Sequence, residues 1–201
     1  MNEPRRNTQN QTHKKTDRRR NYTQSVIKEA FVSLLRTRHV SKISVTEICK
    51  LADINRGTFY LHYHDPYDLL EKLEAEHCNA MIEAIGRDLL ADGTKQHIFN
   101  LSKLIHNTIQ ADEALNLLAN TPPSSHNIQQ RLVAGLASKI KPRLVNLGYN
   151  EEEAAAVYIF LFSGYQAVDT YLRKKKASTV EVETVMDVIT SFVRRGLPIG
   201  H

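Results

Sequence analysis

The sequence predicts an all-α protein: a three-helix unit of helix-turn-helix type near the N-terminal end, followed by a larger helical body. Three observations lead there. Apolar residues recur every three or four positions along most of the chain, and no convincing alternating strand pattern appears. A dense run of helix start and stop signals falls between Ser44 and Pro66. Positive charge is concentrated at one end: residues 1–21 hold seven Lys and Arg against two acidic side chains, residues 22–65 six against four, and residues 66–201 fourteen against sixteen.

A chain of 201 residues with 41% apolar content can bury a core. Residues 1–21, rich in Asn, Gln, Thr, Arg and Lys, carry too little apolar surface to offset the entropy of ordering and are expected to form a flexible basic arm. From Thr23 the period becomes helical, with Val26, Ile27, Ala30, Phe31, Leu34 and Leu35 on one stripe that runs to about Arg38.

Ser44 and Glu47 have the spacing of a capping box, with Ile43 and Ile48 placed as its hydrophobic staple, so a short helix is expected from Val45 to about Leu51. Ala52-Asp53-Ile54 reads as a tight turn in which Asp53 takes the left-handed conformation. Asn55 caps a second short helix ending near Tyr63, and Ile48, Leu51, Ile54 and Phe59 are expected to lock the two together. Asp65-Pro66, a cap followed by proline at the first helical position, starts a longer helix to about Leu90.

Further helices are expected near 95–110, 127–147, 151–175 and 179–195, separated by Asp92-Gly93, by the segment from Thr121 to Ser125 and by Gly148-Tyr149-Asn150. Glu151, Glu152 and Glu153 open one of them and Lys174, Lys175 and Lys176 close it, as the helix dipole favours. The expected organisation is an arm at 1–21, a helix-turn-helix DNA-binding domain at 22–65 and a helical effector-binding and dimerisation domain at 66–201.

Two short helices joined by a tight turn and braced by a third can place the start of the second in the DNA major groove. Arg56, Gly57, Thr58 and Tyr60 occupy that start. Arg56 can donate twice to guanine or meet a phosphate, or simply be solvated. Gly57 allows close approach at a position where it weakens the helix by about 1 kcal/mol. Thr58 offers a hydroxyl and a methyl to a base edge, or assists the cap; Tyr60 can reach a phosphate or thymine methyl, or pack on the next helix. Thr46, Tyr22, Thr23 and His62 are placed to meet flanking phosphates, the first three at helix starts.

The segment TEICKLADINRGTFYLHYHDPYDLL, within residues 22–73, resembles the DNA-binding domain of the TetR family of bacterial repressors. It departs from the family's pattern at Asp53, where glycine is common, and at Pro66, where many members carry a phosphate-contacting lysine. The resemblance implies two protomers on a palindromic, inverted-repeat operator, and an all-helical C-terminal domain that dimerises and often binds a small-molecule effector.

It also implies that the last two long helices form the dimer. Helix 151–175 is apolar on more than one side, with Val157, Leu161, Gly164, Val168 and Leu172 on one stripe and Ile159 and Phe162 on another. The final helix has Val182, Val185, Ile189 and Phe192 on one stripe and is expected to be its companion. The expected interface is therefore Leu161, Phe162, Gly164, Tyr165, Val185, Ile189 and Phe192, with the choice between Phe162 and Leu161 as the partner-facing residue left open. Polar residues set among apolar ones, His97, Asn100, Lys103, His106, Tyr158, Gln166 and Asp169, are candidates for an effector pocket of unspecified ligand.

The sequence shows no phosphate-binding loop, no paired nucleophile and base, and no metal-ligand cluster, so enzymatic function, a bound metal and a cofactor are not expected. Cys49 and Cys78 fall within helices as small buried hydrophobes of a reducing compartment. The most apolar stretch, Ala154–Val168, is too short to cross a bilayer, and the start of the chain lacks a signal peptide; a cytoplasmic protein is expected.

Overall fold

The computed structural model describes residues 6–91, 101–121 and 124–196, and side chains within 17–87, 103–121, 124 and 126–196. Every regular element among them is helical: α1 (Arg6–Leu35), a 3-10 turn (Val40–Lys42), α2 (Val45–Leu51), α3 (Arg56–Tyr60), α4 (Pro66–Ala91), α5 (Leu101–Ala111), α6 (Glu113–Ala119), α7 (Ser124–Asn146), α8 (Glu151–Lys175) and α9 (Thr179–Gly196). None is long and apolar enough to cross a membrane. The chain divides into two compact units, Met1–Leu73 and Glu74–His201, so the division falls inside α4, eight residues beyond the expected 65/66 boundary.

In the first unit α2 packs on α1 and on α3. Ile27, Phe31, Ile48, Phe59, Leu69 and Leu73 form its fully buried centre. Residues 6–21, expected as a flexible arm, have helical backbone continuous with the apolar stripe that follows. No glycine or proline stands between Arg6 and Leu35 to stop the hydrogen-bond ladder, and extending an existing helix avoids the cost of nucleation.

The short helices are set by their ends. Ser44 Oγ accepts the Glu47 N–H at 3.3 Å while Glu47 Oε2 accepts the Ser44 N–H at 2.9 Å, completing the capping box. Ile43 and Ile48 on either side of it are buried. At the far end of α2, Asp53 stands at φ 51° and the Ile54 N–H reaches back to the Cys49 carbonyl at 3.0 Å, a Schellman closure. Leu51, expected to lock α2 to α3, is instead 54% exposed. The buried direction of α2 lies between Ile48 and Cys49, and at about 100° per residue Leu51 falls roughly 110° away.

In the second unit α7 packs on α6 and α8, and α5 on α6, α8 and α9. α9 was expected to be the companion of α8; its main packing is on α5. Met81, Ile85, Ile105, Leu118, Leu136 and Tyr158 are among the buried residues. α4 and α7 approach closely at Gly135, where an added Cβ would lie 2.1 Å from Ile82 Cδ1. α6 was not foreseen; Asp112 caps it by accepting the Leu115 N–H at 2.9 Å. The bounds of α8 match expectation, with an Asn150–Glu153 capping box at its start and Lys176 at φ 54° closing its end.

Candidate functional site

The turn between α2 and α3 fixes how α3 is presented. Asn55 Oδ1 accepts the Thr58 N–H at 2.7 Å and caps α3. Phe59 is fully buried, so the residues flanking it face outward: Arg56 and Gly57 are exposed and Tyr60 is 48% exposed. Arg56 Nη2 donates to Tyr60 Oη at 3.3 Å, and the guanidinium stands 5.9 Å from the Tyr60 ring centroid. Tyr60 is in turn held edge-on against Phe59, with centroids 5.6 Å apart. Regular helix ends at Tyr60 rather than Tyr63, with the His62 and Tyr63 N–H groups both turning back to the Phe59 carbonyl.

Two of the expected reading residues also have plainer duties. The Thr58 hydroxyl donates to Asn55 Oδ1 at 3.0 Å, so its proton serves the cap and only its acceptor capacity and methyl are open to a base. At Gly57 an added Cβ would stand 3.2 Å from the same Asn55 oxygen, so glycine leaves room for the cap as well as for close approach.

Among the flanking residues, Thr46 is exposed in the first turn of α2, beside the Ser44 cap. Glu47 accepts from Arg38 Nη1 at 2.7 Å as well as from Ser44, and these bonds, the Ser44 backbone first, pull its carboxyl down to about 2. Tyr22 and Thr23 do not stand at a helix start. α1 begins at Arg6, their position is internal, and the Thr23 hydroxyl is turned back onto the Arg19 carbonyl at 2.9 Å. Tyr22 remains 70% exposed.

His62 is half-buried, with Nδ1 enclosed and unpartnered. Burial lowers its imidazole pKa and the charge of Arg20 adds to the effect, so the ring is neutral at neutral pH and would meet a phosphate only by its other edge. Arg18, Arg19 and Arg20, in the N-terminal half of α1, are all exposed. Sequence reasoning passed over Lys72, which donates to the His62 carbonyl at 3.3 Å and to Asp68 at 2.9 Å, and lies 5.3 Å from the Tyr63 ring centroid.

The second unit holds a cavity of about 560 Å³ lined by α5, the end of α6, α7 and α8. Gln166 and Asp169 line it, as expected. His106 lines a smaller neighbouring cavity of about 140 Å³, and its Nδ1 is 4.0 Å from Asp169. Tyr158 and Lys103 are engaged elsewhere: Tyr158 donates to the Val133 carbonyl at 2.6 Å and Lys103 to Asp187 at 3.0 Å. His97 and Asn100 lie outside the described residues. Tyr165 and Arg173, which the sequence did not mark for this role, line the cavity beside Asp169.

Of the expected partner-facing residues, Phe162 and Tyr165 are buried within the protomer, Phe162 with its ring 5.8 Å from that of Tyr158. Leu161, Val185 and Ile189 are half-buried, and Gly164 and Phe192 are exposed. The outward apolar residues are Ile159, Phe160 and Tyr171 on α8 and Val180, Val188 and Phe192 on α9. Cys49 and Cys78 are buried, and burial pushes the Cys78 thiol up to about 11, which keeps it unreactive.

No family model matches the chain. Over 77 residues it is 30% identical to the uncharacterized HTH-type transcriptional regulator YxbF of Bacillus subtilis (strain 168), a match spanning 38% of this chain and 19% of that relative. Its fold is similar to that of the fatty acid degradation regulator FadR from Bacillus halodurans, with a TM-score of 0.67 and 17% identity over 89% of this chain and 97% of that one. A helix-turn-helix unit followed by an all-helical body is thus an architecture shared with a solved regulator.

Proposed function

We propose that the chain is a sequence-specific transcriptional regulator of the TetR type, a repressor that binds an inverted-repeat operator as a homodimer and leaves it when a small-molecule effector enters the second unit. One observation carries this reading: Arg56 and Tyr60, the first and last residues of α3, stand exposed and mutually oriented on a helix anchored from behind by the buried Phe59. Such a helix presents a charged donor and an aromatic hydroxyl to base edges while its fold is fixed independently of them. The exposed Arg18, Arg19 and Arg20 on α1 supply charge for phosphate neutralisation. Similarity to an HTH-type regulator supports the same assignment. The protein works in the cytoplasm, where its operator lies.

The test compares binding of the full chain to DNA fragments from around its own gene with binding to random-sequence DNA at fixed salt. A preference of about 10³ or more is expected of direct readout. Arg56→Ala is expected to reduce that preference on the order of ten- to hundredfold with native circular dichroism. Equal affinity for both DNAs overturns the reading.

A further inference from the structure

Resting on the reading of the second unit as an effector-binding body, we infer that its cavity takes an apolar carboxylic acid, with the hydrocarbon against Ile105, Ile109, Leu132 and Phe162 and the carboxylate at Tyr165 and Arg173. The volume of about 560 Å³ lies within the range of small-molecule sites, about 300–1,000 Å³. Its lining combines the apolar side chains of Ile105, Ile109, Leu132 and Phe162 with the polar Tyr165, Asp169 and Arg173, which follow one another on successive turns of α8.

Tyr165 is 6% exposed and its hydroxyl has no hydrogen-bond partner, an arrangement that a buried hydroxyl adopts at a cost unless something else completes it. Arg173 donates from Nε to Asp169 Oδ2 at 2.7 Å and from Nη1 to Asn120 Oδ1. A guanidinium has five N–H donors, so those on Nη2 remain for a ligand. Lys174 lies at the edge of the same cavity and is exposed.

The charge balance selects the head group. Arg173 and Lys174 stand against Asp169, and burial holds the nearby His106 imidazole neutral at neutral pH. One positive charge is left over, at the exposed edge where Lys174 stands. A monoanion is attracted by it, a cation meets repulsion, and a neutral head gains nothing from it. A planar carboxylate also suits the guanidinium fork and accepts from the tyrosine hydroxyl at the same time.

The experiment uses the full chain with Nile red as a neutral fluorescent reporter of the cavity, displaced by three probes sharing one hydrocarbon body: decanoate, decanol and decyltrimethylammonium. Decanoate is expected to displace the dye at concentrations about tenfold lower than either of the others. Tyr165→Phe, which removes only the unpartnered hydroxyl, and Lys174→Gln, at an exposed position, are each expected to weaken decanoate severalfold while leaving displacement by decanol and the melting temperature unchanged.

Equal displacement by all three probes, preference for the cation, or decanoate affinity unchanged in both variants overturns the carboxylate assignment and leaves the cavity standing as an effector site. Failure of Nile red to bind overturns both the assignment and the effector reading. DNA affinity of the same ligand-free preparation reports separately on the DNA-binding reading.

Discussion

Arg56 and Tyr60 form a pair one turn apart on the exposed face of α3, joined by the 3.3 Å bond from Nη2 to Oη and by the approach of the guanidinium to the ring. The pair restricts the rotamers of a long side chain before it meets DNA, which lowers the entropy lost on binding. Arg56→Ala is expected to weaken specific binding on the order of ten- to hundredfold, and Tyr60→Phe less, since it keeps the ring and loses only the hydroxyl. Because Tyr60 acts partly through Arg56, a double-mutant cycle of Arg56→Ala with Tyr60→Ala should give a combined loss smaller than the product of the single losses. Strictly multiplicative losses would show that the two residues read DNA independently.

Glu47 offers a pH test of the helix-turn-helix scaffold. Its carboxyl lies near 2 in the folded chain against an ordinary value of 4.5, because Ser44 and Arg38 hold the charged form. A depressed folded pKa stabilises the unit above about pH 4.5, and that stability is lost as the pH falls from there toward 2. Melting temperatures measured between pH 6 and 2 should therefore fall more steeply for the wild type than for Glu47→Gln, which cannot titrate. Parallel curves would sink the assignment of this stabilisation to Glu47.

Deletion of residues 1–20 removes seven basic side chains, with Arg18, Arg19 and Arg20 among the exposed ones. It shortens α1 without touching the buried Ile27, Ala30 and Phe31. Affinity should drop for all DNA sequences alike, and the plot of log affinity against log salt should become shallower as fewer counterions are released. The ratio of specific to non-specific affinity should survive. An unaltered slope would mean that this segment of α1 does not touch DNA.

Local signals in the sequence were sufficient for the helix-turn-helix because its geometry is set over three to five residues. Ser44 with Glu47, Asn55 with Thr58 and Asp65 with Tyr67 are caps whose partners stand two or three positions away, and even the left-handed Asp53 is enforced by a turn five residues long. The second unit was less legible because its decisions are long-range. Which side of α8 faces inward depends on α5 and α7, and a helix carrying Ile159, Phe160, Leu161 and Phe162 in succession gives no single periodicity to read. The Tyr165 hydroxyl left without a partner, and the Gly135 opening for Ile82, exist only once helices distant in sequence are packed. Short α6 was hidden because its two buried leucines, Leu115 and Leu118, give barely one turn of periodicity.

The burial pattern of α8 turns the question of assembly into a sharp comparison of neighbouring residues. Phe162 is 5% exposed in the protomer, whereas Phe160, two positions away and so on nearly the opposite side of the helix, is 65% exposed. Gly164 also opens outward, with no atom within 4 Å of where its Cβ would stand, and would let a second helix come close. Phe192 and Val188 expose a comparable apolar row on α9. Each such aromatic gains roughly 1.5–3 kcal/mol when fully removed from water, so a two-fold contact that buries these rows from both protomers would be held largely by the hydrophobic effect. In a homodimer of this kind the reading helices are related by the same two-fold axis, and they enter successive major grooves when about 34–36 Å apart, which requires an inverted-repeat operator. Phe160→Asp and Phe192→Asp should therefore give folded monomers with native helicity that bind single half-sites and lose cooperative binding to the full repeat. Phe162→Asp should instead place a charge beside Tyr158 in the protomer core and unfold the second unit. Sedimentation velocity of wild type and variants at micromolar concentration decides: a monomeric wild type, or a Phe160→Asp variant that still dimerises, would remove this face of α8 from the interface.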